Sequence, residues 1–535
     1  MLFFCALVST VSFALQESTG PNGSNVQAVH AEGFTGQGVS VGLISQDHSL
    51  VAHEAFDGHA YYYNATDQSD YIPSDHDTSV GGIICSRGGA LYPDEKGAAP
   101  TAELYSVKVT RLEGENYISA IPWMDDALNY LLDQQCKVVV TAIQLSETAD
   151  GSTDWSLIYD YYAYEYNLIF ATAAGNYATN ITVFGDTYNS ITTGGLIGTA
   201  TDLYDKIGSG SNPGPTADGR QKPDICAPSQ SQTVPTDTST TAWTTVGSTA
   251  GETSWSVPQT GGVAAALLSY ADTTTTEPGD NRNEVIKAVI VNSTFPNIQD
   301  EYGTATTGQV WNNYRGYGRI DALRAYDILS SPKIIPSSTT GNSKGWAFDS
   351  VASGQQDSFT ISGIKNERLV VTLTWNRRVV WADQRSGFPA RYNGIIDAEE
   401  LTAYLANLDL EIRDPDGILI SPTASTIDNL EKNDLLLTKT GNYEIRIVNQ
   451  SGSESANYAL AFELLEPLPA DFNVDYVVND LDLVDFLPYW LDADCNNPSQ
   501  PCYPYNLSSN DPIDLSDYSI FAQKWLTYDS RYYSP

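Results

Sequence analysis

Four short segments of this 535-residue chain carry the residue types that nucleophilic catalysis needs. Ile44-Ser45-Gln46-Asp47 ends one apolar run, and Ala173-Ala174-Gly175-Asn176 ends another. His76-Asp77-Thr78-Ser79 opens a stretch of small and apolar residues. Thr253-Ser254-Trp255-Ser256-Val257-Pro258 precedes the small-residue stretch 261–268. A serine hydroxyl is a poor nucleophile until a base takes its proton, and His76 could do this for Ser254. The Asn176 amide and the Ser254 backbone N–H could hold the oxyanion formed when that oxygen attacks a carbonyl. An acid, with Asp47 the candidate, would orient the imidazole and stabilise its cation. Each segment alone is as readily structural. Together, in this order and spacing, they point to acyl transfer.

A second cluster is suited to a cation. In the loop Asp471-Phe472-Asn473-Val474-Asp475-Tyr476-Val477-Val478-Asn479-Asp480-Leu481-Asp482, oxygen-bearing side chains fall at positions 1, 3, 5, 9 and 12. That spacing wraps calcium, with a backbone carbonyl at position 7. The expected ligands are Asp471, Asn473, Asp475, the Val477 carbonyl, a water placed by Asn479, and Asp482. Tyr476 stands where a tight turn prefers glycine. A second copy runs from Asn506 to Asp517, and both copies lead into an aromatic ending, Phe486 and Trp490 or Phe521 and Trp525. The second loop has lost its charges at positions 1, 3 and 5, so it should bind weakly or not at all. The bland alternative, a solvated acidic tail, does not account for the duplicated aromatic ending.

Strand ends and helix starts must bring the four catalytic segments together. Residues 39–44, 138–140 and 168–171 read as buried parallel strands, within a region of α/β spacing that reaches about residue 330. Residues 368–375, 408–413 and 443–448 are short β-rich runs. Turn signals such as Asp414-Pro415-Asp416-Gly417 separate them, which predicts a β-sandwich. The 66 acids outnumber 27 bases, for a net charge of −39. Such a chain repels polyphosphate and anionic lipid, which excludes a general nucleic-acid-binding role. Residues 1–14 form a short apolar stretch ending in Ser12-Phe13-Ala14, the form of a secretory signal, although the first basic residue is Arg87. A secreted, extracellular protein is expected. No later apolar run reaches the ~18–20 residues of a membrane span. Cys495 and Cys502 flank a short loop and are the best disulfide candidates, whereas Cys226 reads as a small buried residue.

Longer motifs support a family resemblance. His76 to Gly82 matches His-Gly-Thr-x-Val-Ala-Gly except at Asp77 and Gly81. Residues 97–104, 214–220, 222–224 and 227–228 match further signatures, and Thr253, Ser254 and Pro258 match Gly-Thr-Ser-Met-Ala-x-Pro. Residues 316–322 resemble the closing segment. Over roughly residues 25–330 the chain resembles the subtilisin-like serine proteases. The resemblance implies an α/β domain with a parallel sheet flanked by helices. It also implies a serine endopeptidase acting on protein or peptide substrates, with Ser254 as nucleophile, His76 as base and Asn176 as oxyanion donor. The family's acid position is held by Ser45. Asp47, two residues on, could reach His76 if a small bulge follows Ile44; otherwise the triad is incomplete. The alternative function is a catalytically impaired binding or scaffold protein anchored through its tail. Trp255 also replaces the family's small or flexible residue after the nucleophile, and the catalytic pattern begins soon after the expected cleavage site, so either the sequence is short at its start or the enzyme folds without a prodomain.

The middle region resembles the sandwich that follows the catalytic domain in a subset of these proteases. The duplicated loops resemble a dockerin type I domain, which implies calcium and a cohesin-like or cell-surface partner in a bacterial setting. The expected organisation is a signal at 1–14, a peptidase domain at 15–331, a jelly-roll-like β-sandwich at 332–466 and a small α-helical dockerin-like domain at 467–535.

Overall fold

The β-branched runs of the N-terminal half pair into one sheet, in the order 225–228, 191–198, 169–173, 136–141, 40–45, 103–108 and 60–64. Every neighbouring pair along this path is parallel, and Tyr204–Ile207 adds an antiparallel strand beside 191–198. The computed structural model describes residues 14–532 apart from 67–70, 115, 178, 199–203, 274–277, 305, 307, 383–400, 453, 498–499 and 530. The expected signal at 1–14 therefore lies almost wholly outside the described residues.

Successive side chains of a strand point to opposite faces, so each buried run feeds two cores. Val41, Leu43, Val138 and Val140 join the helices Asp75–Cys85 and Val257–Ala271 on one face. Ile44, Val107, Val139 and Phe170 meet Ile121–Asp133 and Asp154–Tyr166 on the other. The helix Val257–Ala271 lies against the sheet because Gly261 and Gly262 have no side chains. A Cβ on Gly261 would come within 2.2 Å of Val140 Cγ2, and one on Gly262 within 2.5 Å of Ala98 Cβ. That close approach seats the start of the helix, and the 3₁₀ turn Thr253–Trp255 before it, over the carboxyl ends of the strands. In open α/β sheets this is where ligands bind.

After the helix Ala322–Leu329 the chain enters a second unit of two facing antiparallel sheets. One is ordered 339–340, 356–363, 441–449, 408–413 and 419–423, its first pairing parallel; the other is ordered 344–351, 456–465, 368–375 and 430–436. The strands expected at 368–375, 408–413 and 443–448 fall within Arg368–Trp375, Leu408–Arg413 and Gly441–Asn449. Leu369, Val371, Leu373, Leu410, Ile412, Ile445 and Ile447 fill the space between the sheets.

The outer face of the four-stranded sheet covers the helix Asn283–Asn292, all of whose residues are buried. Thr374 Oγ1 donates to the Glu284 carbonyl and Thr372 Oγ1 to Asn292 Oδ1. Lys432 Nζ donates to the Val291 carbonyl at 2.8 Å and to Thr294 Oγ1 at 3.0 Å. Burial pushes this ammonium down to about 7. The α/β unit and the sandwich thus share a continuous, partly polar interface.

Residues beyond 467 form two short helices, Asp480–Phe486 and Leu515–Lys524. Each starts on a reciprocal cap, Asn479 with Asp482 and Asp514 with Asp517. Phe486 and Phe521, one from each copy of the repeat, stack at 5.6 Å. A disulfide joins Cys495 to Cys502. The thiols of Cys85, Cys136 and Cys226 are free and buried. Among the described residues no helix is long and apolar enough to cross a membrane.

Candidate active site

All four of the expected catalytic residues line one cleft of about 420 Å³ over the carboxyl ends of the strands. His76, Asn176 and Ser254 all line it, together with Asp47, Asp77, Ser74 and Gln144. His76 lies in the first turn of the helix Asp75–Cys85. Ser74 caps that helix by accepting from the Asp77 backbone N–H at 3.1 Å. Ser254 lies in the turn Thr253–Trp255, just before the glycine-seated helix.

Asn176 follows the strand Ile169–Ala173 by way of Gly175, at φ +103°. A Cβ on Gly175 would fall 2.4 Å from Thr182 Oγ1, so only glycine fits this bend. The Asn176 backbone N–H donates to Gln144 Oε1 at 2.7 Å. Its side-chain Oδ1 accepts from Thr253 twice, at 2.7 Å from the backbone N–H and 2.9 Å from the hydroxyl. The amide oxygen is thereby tied beside Ser254, and the donor end, Nδ2, is left for the cleft.

The carboxylates fall out differently from the expectation. The strand Ser40–Ser45 keeps continuous register with its neighbour, Ile44 opposite Val107 and Ser45 opposite Lys108. No bulge therefore follows Ile44 on that edge. Asp47 lies past the strand end, and its carboxylate turns to Lys108 Nζ at 3.4 Å and the Tyr117 hydroxyl at 3.3 Å. Burial raises the Asp47 carboxyl, and the Lys108 charge partly offsets that rise. The Ser45 hydroxyl is buried and donates to the Asp47 carbonyl. The carboxylate that meets the histidine is the adjacent one: Asp77 Oδ1 lies 2.8 Å from His76 Nδ1, and Asp77 Oδ2 accepts the Asp47 backbone N–H at 2.7 Å. Asp77 is 1% exposed. Burial alone would raise its carboxyl, but the hydrogen bond and charge of His76, with the Asp47 and Ser74 contacts, hold it below the usual range. In the sequence Asp77 stands out only as a departure from the histidine motif. The signal was available, because a glycine position gains an acid where the strand end has lost one.

Trp255 packs its ring 5.0 Å from that of His76 and forms a wall of the site. His53 has a structural place: its Nδ1 accepts the Ala55 backbone N–H and its Nε2 meets the Ala242 carbonyl.

The expected cation ligands gather at the tail. Carboxylate oxygens of Asp471, Asp475 and Asp482 all lie within 4.8 Å of one another. Asp482 Oδ1 accepts the Phe472 backbone N–H and its Oδ2 that of Asn479, which closes the loop on itself. Asn473 bonds to Asp475, and the Val477 backbone N–H donates to Asp475 Oδ1. Burial, resisted by backbone hydrogen bonds and reinforced by the neighbouring Asp482 and Asp475, pushes Asp471 up to about 6. This is a set of hard oxygen donors short of positive charge, and it fits a divalent cation. In the second copy Asp517 repeats the role of Asp482, accepting from the Ser508 and Asp514 backbone N–H groups.

Parallel sheet, glycine-seated helix and a Ser–His–Asn cleft define a serine-hydrolase type of site. A profile of the subtilase family matches residues 36–318, a little over half of the chain, and the chain belongs to that family. It is similar to serine protease AprX of Bacillus subtilis (strain 168), 27% identical over 212 residues that cover 36% of this chain and 47% of that protein. The chain thus spans about half the length of this curated relative. Among solved structures it is similar to the prenylagaramide maturation protease PagA, at 18% identity and a TM-score of 0.45, covering 57% of this chain and 98% of that one. It is also similar to the PatG macrocyclase in complex with peptide, at 12% identity and a TM-score of 0.45, covering 60% of this chain and 99% of that one.

Proposed function

We propose that this protein is a secreted serine endopeptidase that hydrolyses peptide bonds through an acyl-enzyme on Ser254. The observation that carries this reading is the convergence of Ser254, His76 and Asn176 on one cleft. His76 takes the proton of the Ser254 hydroxyl as its oxygen attacks the scissile carbonyl. Asn176 Nδ2 and the Ser254 backbone N–H hold the oxyanion. The imidazolium then gives its proton to the departing amine, and water, deprotonated by the same imidazole, releases the acyl group. The test is labelling of the full chain with a serine-directed fluorophosphonate, followed by mass mapping. A single adduct on Ser254, coupled to peptide hydrolysis, is expected. Absence of both would leave the subtilisin fold as a binding or scaffold module, the reading favoured by Ser45 at the family's acid position.

The tail is proposed to be a dockerin-like module that holds calcium through Asp471, Asn473, Asp475, the Val477 carbonyl, Asn479 by way of a water, and Asp482, and that docks to a cohesin-like or cell-surface partner. The clustered carboxylates support this. Calcium would neutralise their mutual repulsion and stabilise the helix Asp480–Phe486, whose cap Asp482 shares. Because Asp471 titrates near 6 without the ion, calcium must displace its proton at lower pH. Affinity should therefore fall as pH drops through about 6, with proton release on binding. Calorimetric titration of the full chain in buffers of different ionisation enthalpy checks this. An affinity unchanged between pH 5 and 7 counts against the site.

A further inference from the structure

We propose that Asp77, the residue next to the base in sequence, is the positioning acid of this active site, having replaced the carboxylate that the family carries at the end of the strand Ser40–Ser45. This deepens the serine-peptidase reading and rests on it. Two departures from the family pattern explain each other. The strand-end position has lost its acid, as Ser45, and the position after the histidine, glycine in the family's motif, has gained one.

The geometry shows how the exchange works. Neighbours along a helix ordinarily diverge, since side chains meet at spacings of three and four. Here both residues belong to the first turn, whose entry is shaped by the Ser74 cap. Asp77 points back toward the strand end, where the Asp47 backbone N–H binds its Oδ2 at 2.7 Å. Its carboxylate thus lies against the loop just past Ser45, beside the region the missing strand-end acid would enter. Oδ1 then takes His76 Nδ1 at 2.8 Å. With Nδ1 engaged, the other ring nitrogen, Nε2, belongs to the cleft that His76 shares with Ser254.

The other acid nearby is already committed. Asp47 is paired with the buried Lys108 and with Tyr117, which keeps its charge from competing for the imidazole. Its contribution to the site is its backbone N–H, given to Asp77. The burial of Asp77 gives the ion pair a low-dielectric setting, and its satisfied oxygens let it stay ionised there. Asp77 takes no proton in the reaction. It fixes the tautomer that leaves Nε2 free to accept one, and it stabilises the imidazolium that results.

The experiment compares full-length wild type with Asp77→Asn, Asp47→Asn and the double change Ser45→Asp/Asp77→Gly, which restores the family arrangement. Asp77→Asn should lower kcat by about 10⁴-fold, the scale seen when a triad acid is made neutral, with KM little changed. Asp47→Asn, which keeps the backbone N–H, should stay within about tenfold of wild type, and the double change should recover turnover over Asp77→Asn. Proton NMR of the folded proteins gives a readout that does not depend on activity. The far-downfield proton of an imidazole N–H bonded to a carboxylate should be present in wild type and Asp47→Asn and lost in Asp77→Asn. Wild-type kcat in Asp77→Asn, or loss of kcat and of that resonance in Asp47→Asn, overturns the proposal. If Asp77→Asn does not fold, the Asp47→Asn comparison decides by itself. A wild type that neither labels nor cleaves defeats the peptidase reading, while the resonance still tests the pairing of His76 with Asp77.

Discussion

Ser254→Ala is expected to reduce turnover by about 10⁶-fold, the scale at which nucleophile and base of a subtilisin act as one unit. Ser254 is the proposed source of the attacking oxygen, since the other hydroxyl of the turn Thr253–Trp255, Thr253 Oγ1, is committed to Asn176 Oδ1 at 2.9 Å. Removing one hydroxyl at the mouth of a turn leaves no cavity in the core, so folding should be unaffected. His76→Ala should cost about as much. The double change should cost hardly more than either alone, because a base without its nucleophile, like a nucleophile without its base, contributes nothing. Steady-state hydrolysis of a peptide substrate by the three variants, with circular dichroism as the folding control, checks this. Additive losses would show that the two residues do not work together. The residue left over should retain binding and the oxyanion donors, since Asn176 is held by Thr253 and Gln144 rather than by Ser254.

The second large effect concerns stability. Arg377→Ala is expected to destabilise the protein by about 3–5 kcal/mol, the range for stripping one partner from a buried ion pair. Arg377 belongs to the sandwich, directly after the strand Arg368–Trp375, and reaches into the peptidase unit. Its Nε bonds Asp160 Oδ2 at 2.7 Å, its terminal nitrogen adds Asp160 and the Gly151 carbonyl, and its backbone N–H donates to Asn189. Its guanidinium lies 3.9 Å from the Tyr188 ring, which also takes Arg220 at 3.8 Å. Asp160 is fully buried, so without Arg377 a charge would be stranded between the units. Arg377→Lys should fail to rescue, because an ammonium cannot serve the carboxylate, the carbonyl and the ring with one planar fork. Asp160→Asn in the Arg377→Ala background should recover part of the loss. Denaturant unfolding of the full chain measures this, and a loss under 1 kcal/mol for Arg377→Ala would mean that the pair does not bind the units together.

Much of the protein could be read from residue order. The runs at 39–44, 138–140 and 168–171 are apolar on both faces, as strands of a covered parallel sheet must be, and they lie where expected. The runs at 368–375, 408–413 and 443–448 carried the marks of a sandwich, because half-buried and buried positions alternate in Leu408–Arg413 and Gly441–Asn449. The duplicated tail loops could be read from spacing alone, since each loop folds on its own backbone and needs little from elsewhere. His76, Asn176 and Ser254 were legible because each lies at a strand end or helix start with a recognisable local motif.

Which carboxylate serves the histidine was not legible in this way. Sequence position favoured Asp47, two residues past the family's acid position, while Asp77 stood out only as a departure from the histidine motif. The decision came from three contacts: Lys108, which draws the Asp47 side chain away; the Asp47 backbone N–H, which then binds Asp77 Oδ2; and Ser74, which caps the turn by accepting the Asp77 backbone N–H. Residue order determined that a serine, a histidine and an asparagine would lie at strand ends and helix starts, with a surplus of acids around them. Only the packing of strand end against helix start decided where the needed charge would sit. A buried carboxylate goes where donors converge to replace its water, and that convergence is a property of three-dimensional neighbours, not of positions along the chain.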